Sequence, residues 1–254
     1  MEGLNVLYNS IFPISILNSV PRYTRSDGNG RSGWKKLIGS HNHRPITEFP
    51  WEAPIWKGRF RHIQINMSCD KDLLIIHNKY TTEWGKPPIN FISLDVMKEL
   101  HEMLSEFYTV VIIHPEANAK NYSCDHQKME EMFDYSGMYT IQDIMNANPS
   151  LDYNTVQFAL HDMCTKYISV QGGSSRIASL FGGTNVILHV QGSEHEHDEY
   201  NRVLSRLSDV KIHVVSNGNE LLSKVNELYI LSQSPISYPD FVGGHDRLAF
   251  LTSF

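Results

Sequence analysis

The run Gln171-Gly172-Gly173-Ser174-Ser175 carries the clearest chemical signal in the chain. Two glycines let backbone N–H groups approach a bound group closely, and two serines add hydroxyls, a combination suited to gripping a phosphate at the start of a helix. The same five residues would also make a plain tight turn between a strand and a helix. They match neither the GxGxxG dinucleotide fingerprint nor a Walker A loop, since no Gly-Lys-Ser/Thr follows. Lys79, just after an apolar run, offers a point charge for a diphosphate, or is an ordinary surface lysine. Tyr139 to Asp143 could flank a nucleobase. The cluster Glu194-His195-Glu196-His197-Asp198-Glu199 has metal-ligating residue types, but acids also belong in a solvated first helical turn.

These residues need elements to position them. Ile168-Ser169-Val170 reads as the end of a buried strand, Ser174 or Ser175 as the cap of a short helix stopped by Gly182-Gly183, and Val186-Ile187-Leu188 as the next parallel strand. Upstream, Leu73 to His77 and Tyr108 to Pro115 are further strands. They flank a helix capped by Ser93, with Leu94, Met97, Leu100, His101 and Leu104 at helical spacing. Gln127 to Phe133 reads as a short helix and Tyr139 to Ile144 as a short strand or turn. Tyr153 to Thr165 reads as a helix with Val156, Leu160 and Cys164 on one face. Glu196 to Leu207, Val210 to Val215 and Asn219 to Leu228 complete the series as helix, strand and helix. This alternation is the signature of an α/β protein with a doubly wound parallel sheet of Rossmann type. In such a sheet the loops 78–85, 114–118 and 171–175 should face one crevice beyond the strand ends.

The N-terminal part is less regular. Arg22 to Trp34 is a Gly- and Arg-rich loop, and Pro45, Pro50 and Pro54, with Trp51 and Trp56 beside them, exclude a long helix. The expected organisation is a reduced region at 1–66, a ligand-binding α/β domain at 67–229 and a tail at 230–254 packing back on the N-terminal region.

At 254 residues and 41% hydrophobic, the chain can bury a substantial core. Its net charge of −6 and pI near 6.1 argue against nucleic acid as a partner. Cys69, Cys124 and Cys164 are odd in number and have no CxxC, which fits a reducing, cytoplasmic setting. No apolar run reaches the roughly 20 residues of a transmembrane helix, and no signal peptide is expected.

Taken in order, the basic residue after the first strand, the strand ending in His114-Pro115, Ile168-Ser-Val-Gln-Gly-Gly-Ser-Ser175, Phe181-Gly-Gly183 and His189-Val-Gln-Gly-Ser-Glu194 resemble the nucleotide-sugar-binding domain of GT-B-fold glycosyltransferases. The resemblance covers roughly residues 70 to 230; small enzymes of this kind build glycans in large DNA viruses and algae. It implies a GT-B-like fold in which Gly173, Ser174 and Ser175 hold the donor diphosphate with help from Lys79. It further implies that Tyr139 and Ile141 contact the nucleobase, and that Glu194 or Glu196 lies near the donor sugar. A GT-B enzyme has a full N-terminal α/β domain, which about 66 residues cannot make, so that half must be reduced. Because that half should carry the acceptor, Asp27 and His41 are the candidate catalytic bases. The Glu-x7-Glu pattern of many retaining members is absent: eight positions on from Glu194 stands Arg202, and from Glu196, Leu204.

The expected activity is thus inverting transfer of a sugar, without an obligatory metal or other cofactor, from a nucleotide-diphosphate sugar to a glycan hydroxyl. UDP-sugars such as UDP-xylose are favoured as donor. The rivals are another Rossmann-type enzyme acting on a phosphorylated ligand, an oxidoreductase or sugar-phosphate isomerase, and a non-catalytic sugar-nucleotide-binding module.

Overall fold

Buried parallel strands have no solvent face, so they show as unbroken β-branched and aliphatic runs. A computed structural model describes residues 56–82, 86–115, 137–192, 194, 198–202, 204–206 and 208–233. Among the described residues six strands form one sheet, four of them buried in this way and the edge strands β3 and β6 partly exposed: β1 (Asp72–His77), β2 (Tyr108–Ile113), β3 (Met138–Thr140), β4 (Lys166–Val170), β5 (Thr184–Leu188) and β6 (Lys211–Val215). The order is β3-β2-β1-β4-β5-β6, and every neighbouring pair is parallel. The protein is therefore mixed α/β, doubly wound, with the order reversing at the seam between β1 and β4. At such a switch point the connecting loops diverge and leave a crevice beyond the carboxyl ends of the strands.

Alternate residues point to opposite faces. Leu74, Ile76, Val110, Ile112, Ile168, Val170, Val186 and Leu188 pack on one side. There they meet helix α1 (Leu94–Leu104) through Met97, Leu100 and Leu104, and α6 (Gly218–Val225) through Leu221, Leu222 and Val225. Ser93 caps α1, accepting from Val96 N–H at 3.4 Å, and Asn217 caps α6 by accepting from Glu220 N–H at 3.0 Å. Leu73, Ile75, Val111, Ile113, Tyr167 and Ile187 face the other way. That face carries α2 (Ile141–Ala147), α3 (Tyr153–Met163), α4 (Gly173–Ser179), α5 (Glu199–Arg202) and a 3-10 turn (Leu204–Arg206). Each fully buried aliphatic side chain contributes roughly 1.5–3 kcal/mol relative to exposure.

Some boundaries differ from the sequence reading. The segment after Met138 is a short edge strand followed by a helix, because Thr140 and Asp143 form a capping box that starts α2 at Ile141. The helix expected over Glu196 to Leu207 appears only as α5 and the 3-10 turn among the described residues. That expected over Gln127 to Phe133 lies outside them. Residues just after 55 belong to the α/β core: Trp56 packs against Phe60, Phe158 and Phe181. Asp162 of α3 accepts from the backbone N–H groups of Gly58 and Phe60 and fastens this segment.

Candidate functional site in the strand-end crevice

The turn from β4 into α4 is built by a buried polar network. Ser169 on β4 donates to Asn185 Oδ1 on β5 at 2.8 Å, and Asn185 Nδ2 donates to the carbonyl of Ser175 at 3.3 Å. Ser179 donates to the same Ser175 carbonyl at 2.7 Å, and Ser175 donates to the Gly172 carbonyl at 2.8 Å. All four side chains are buried, so leaving one unpaired would carry a desolvation cost. The network holds α4 against the sheet and fixes the shape of the Gly172-Gly173 turn.

Neither serine caps the helix, contrary to the sequence reading. The N-cap is Gly172, at φ 118° and ψ −148° with no side-chain cap bond, a conformation that L side chains avoid. Ser175 is buried and its hydroxyl holds the turn, whereas Ser174 is half-buried and Gly173 exposed at the crevice.

Lys79 arrives from across the seam. Its Nζ lies 3.1 Å from where a Cβ on residue 172 would stand and 3.5 Å from Gln171 Oε1. The approach is directed by Asn78, buried at the end of β1, whose Oδ1 accepts from Lys79 N–H at 3.0 Å and Ile92 N–H at 2.9 Å. Asn90 ties the same loop to the end of β5, donating to the Gln191 carbonyl at 2.8 Å and accepting from Val190 N–H at 2.9 Å. The first and fourth strand ends thus bring an ammonium group beside a glycine turn.

A cleft of about 400 Å3 opens at this edge, lined among others by His77, His114, Tyr153, Gln157, Gly173 and Ser174. Two of the three expected loops line it, through His114 and Pro115 and through Gly173 and Ser174; from the third, Lys79 lies beside Gly172, but no described residue of 78–85 lines the cleft. On the β1 side its wall includes His77, which is paired with a second buried histidine, His161. His77 Nε2 and His161 Nε2 are 2.7 Å apart, and His161 Nδ1 lies 2.6 Å from the Gln157 carbonyl. His161 also stacks on Tyr167 with ring centroids 5.6 Å apart. Burial, with His161 and His114 nearby, holds the His77 imidazolium pKa well below its ordinary value; burial brings that of His161 down to about 4. The Cys164 thiol below is pushed up to about 12 by burial and is no nucleophile.

The remaining candidates are dispersed. Tyr139, on the edge strand β3, is partly buried against the core, and Ile141 is buried at the start of α2; neither lines the cleft. Glu194 stands at the β4–β5 end, its Oε1 3.6 Å from Arg176 Nη2 and its Oε2 crowding Gly192. Asp27, His41 and Glu196 lie outside the described residues. An Asp-x-Asp spelling, Asp70-Lys71-Asp72, falls at the start of β1, the end of the sheet away from the cleft, where Asp72 pairs with Lys166 at 3.6 Å. Among the described residues no helix is long and apolar enough to cross a membrane, and no three His, Cys, Asp or Glu residues cluster as metal ligands.

Sequence reasoning missed the histidine pair and the amide staples. His77 was visible only as the polar end of an apolar run, and nothing in sequence joined it to His161. Asn90 and Asn185 carried no signal.

No protein-family model matches this sequence, and no curated protein matches it. Among solved structures, the chain is similar to the wall teichoic acid polymerase TagF at 10% identity and a TM-score of 0.36, over 67% of this chain and 38% of the polymerase. A second TagF structure, of a variant, aligns at 11% identity and 0.35 over 66% and 37%. The chain thus spans well under half the length of the polymerase it matches, and a likeness of this size assigns no role to any residue here.

Proposed function

We propose that this chain binds a nucleotide-diphosphate sugar in the crevice at the β1/β4 seam and transfers the sugar to a glycan hydroxyl. The observation that carries the reading is the approach of Lys79 to Gln171 and Gly172 across the topological switch point, at the turn whose next residues, Gly173 and Ser174, line the cleft. That corner supplies a cation, a hydroxyl and a turn whose lack of side chains admits close approach, the requirements for a diphosphate.

In the transfer, the acceptor oxygen forms a bond to the anomeric carbon while the bond from that carbon to the diphosphate oxygen breaks. Charge then grows on the departing diphosphate, where Lys79 and the polar groups of Gly173 and Ser174 stabilise it. The acceptor proton passes to a general base. The inverting outcome, the preference for UDP and independence from a metal belong to this proposal; the expected contacts at Tyr139, Ile141 and Glu194 are not carried into it, since none of the three lines the cleft.

The second reading is a dinucleotide-dependent oxidoreductase, favoured by the strand order, which is also that of dinucleotide-binding sheets. Against it, the first strand ends His77-Asn78-Lys79, with no glycine in the turn where a pyrophosphate would sit. Thermal unfolding with UDP, GDP, NAD and FAD separates the two, since a ligand that binds the folded chain raises its midpoint. Stabilisation by UDP or GDP, lost by more than about tenfold in affinity when Lys79→Ala and Ser174→Ala are combined, is expected. Unchanged affinity in that double variant overturns the site, and stabilisation by NAD or FAD alone overturns the class.

A further inference from the structure

The histidine pair has a definite proton arrangement. The Gln157 carbonyl only accepts, so His161 Nδ1, at 2.6 Å, carries the proton that it donates. A neutral His161 then has a bare Nε2, which can only accept, and the proton in the 2.7 Å contact must belong to His77 Nε2. Burial keeps both rings neutral, so His77 is left with a bare Nδ1. His77 makes no other hydrogen bond among the described residues. His77 is buried, 1% exposed, but lines the cleft, and its Nδ1 is not among the sealed side-chain atoms without a partner there, of which Trp56 Nε1 is the one.

The neighbouring groups have the same polarity. Tyr153, also on the cleft, gives its hydroxyl proton to the His114 carbonyl, and the His114 Nδ1 proton faces the Asn78 carbonyl at 3.2 Å. The Tyr153 hydroxyl and His114 Nδ1 protons are thus directed into the protein, and the bare nitrogen beside them is His77 Nδ1. At His77 a bare ring nitrogen suits a hydroxyl donor rather than a phosphate oxygen. Lys79 and Ser174, by contrast, present donors. The crevice therefore has a phosphate side and a hydroxyl side.

Resting on the function proposed above, we infer that His77 accepts a hydrogen bond from a hydroxyl of the sugar carried by the nucleotide, with His161 as the positioning residue that holds its tautomer. The bound ligand then runs from the Gly173–Ser174 turn toward the end of β1, sugar toward His77.

The test compares UDP with UDP-glucose, UDP-galactose, UDP-xylose and UDP-N-acetylglucosamine, and GDP with GDP-mannose, on the full chain by calorimetry. The expected result is that at least one sugar-bearing ligand binds more tightly than its parent diphosphate. His77→Phe should remove that advantage, about fivefold to tenfold, and leave the parent diphosphate's affinity in place. His161→Leu should remove it too, and His161→Gln, which restores an acceptor, should recover it. Nitrogen-15 spectra of the wild-type histidines give an independent readout: His77 should carry its proton on Nε2 and His161 on Nδ1. A sugar advantage that survives in His77→Phe, no advantage with any sugar, or a His77 proton on Nδ1 overturns the inference. Should no diphosphate bind the wild type at all, the function proposed above falls and takes this inference with it; diphosphate binding with an unaltered sugar advantage sinks the inference alone.

Discussion

The two faces of the sheet are packed from the same strands but differ in kind. The face under α1 and α6 is aliphatic, joined by Tyr108 and Tyr229, whose hydroxyls donate to backbone carbonyls. The face under α3 and α4 holds His77, His161, Asp162, Ser169, Ser175, Ser179 and Asn185, all buried and all hydrogen-bonded. Apolar packing is nondirectional and tolerates any close-fitting set of side chains, whereas a buried polar network must satisfy each member and so dictates one geometry. The cleft lies on the polar face. Both faces bury apolar clusters, and only the face under α3 and α4 spends part of its stability on positioning a site.

Replacing Ile168 by Ala, on the aliphatic face, should have the largest effect: roughly 2–5 kcal/mol of stability lost to a cavity, read from urea midpoints. Nucleotide affinity of the protein that stays folded should not change. A parallel loss of affinity would erase the distinction between the faces.

Acid should act through the polar face. Unfolded His161 takes up a proton near its ordinary 6.5, and the folded residue only near 4, so in that window the unfolded chain binds more protons. Stability is accordingly full above 6.5 and falls as the pH drops toward 4, by roughly 3 kcal/mol from this residue. His77 is shifted in the same direction and adds to the effect. Urea midpoints between pH 7 and pH 4.5 check it, and His161→Leu should flatten the slope; a flat wild-type profile contradicts the buried neutral pair.

Asn185→Ala should cost about 1–3 kcal/mol, because Ser169 loses its acceptor and the Ser175 carbonyl a donor. Unlike the Ile168 variant, it should also weaken nucleotide binding by loosening α4, which calorimetry would detect. The smallest effect is expected at the rim. Arg176→Gln removes a 3.6 Å pair with Glu194, and since Arg176 is only partly buried the stability change should stay within about 1 kcal/mol.

Much of this architecture is legible in the sequence. Leu73 to His77, Tyr108 to Ile113 and Val186 to Leu188 announce buried parallel strands because both of their faces are covered, and Ser93 and the α1 stripe announce a helix with one covered face. Met138 to Ala147 was less readable: a three-residue strand leaves little pattern, and the capping box that turns it into a helix is a local signal easily taken for a turn. Ser174 and Ser175 were recognised as special but their division of labour was not, since a serine's hydroxyl bonds outward or inward according to what packs against it. The histidine pair was invisible, for residues 77 and 161 meet only because β1 and β4 are neighbours and α3 covers them.

Residue types and their spacing along the chain determined the strand–helix alternation, the parallel sheet and the glycine turn, because hydrophobic periodicity and backbone freedom are properties of short segments. Which strand ends adjoin, which hydroxyl faces the crevice, and which nitrogen of His77 bears a proton were decided by tertiary structure alone. Each depends on a hydrogen-bond partner or a burial that residues far apart in the chain supply only once the sheet has closed its switch point.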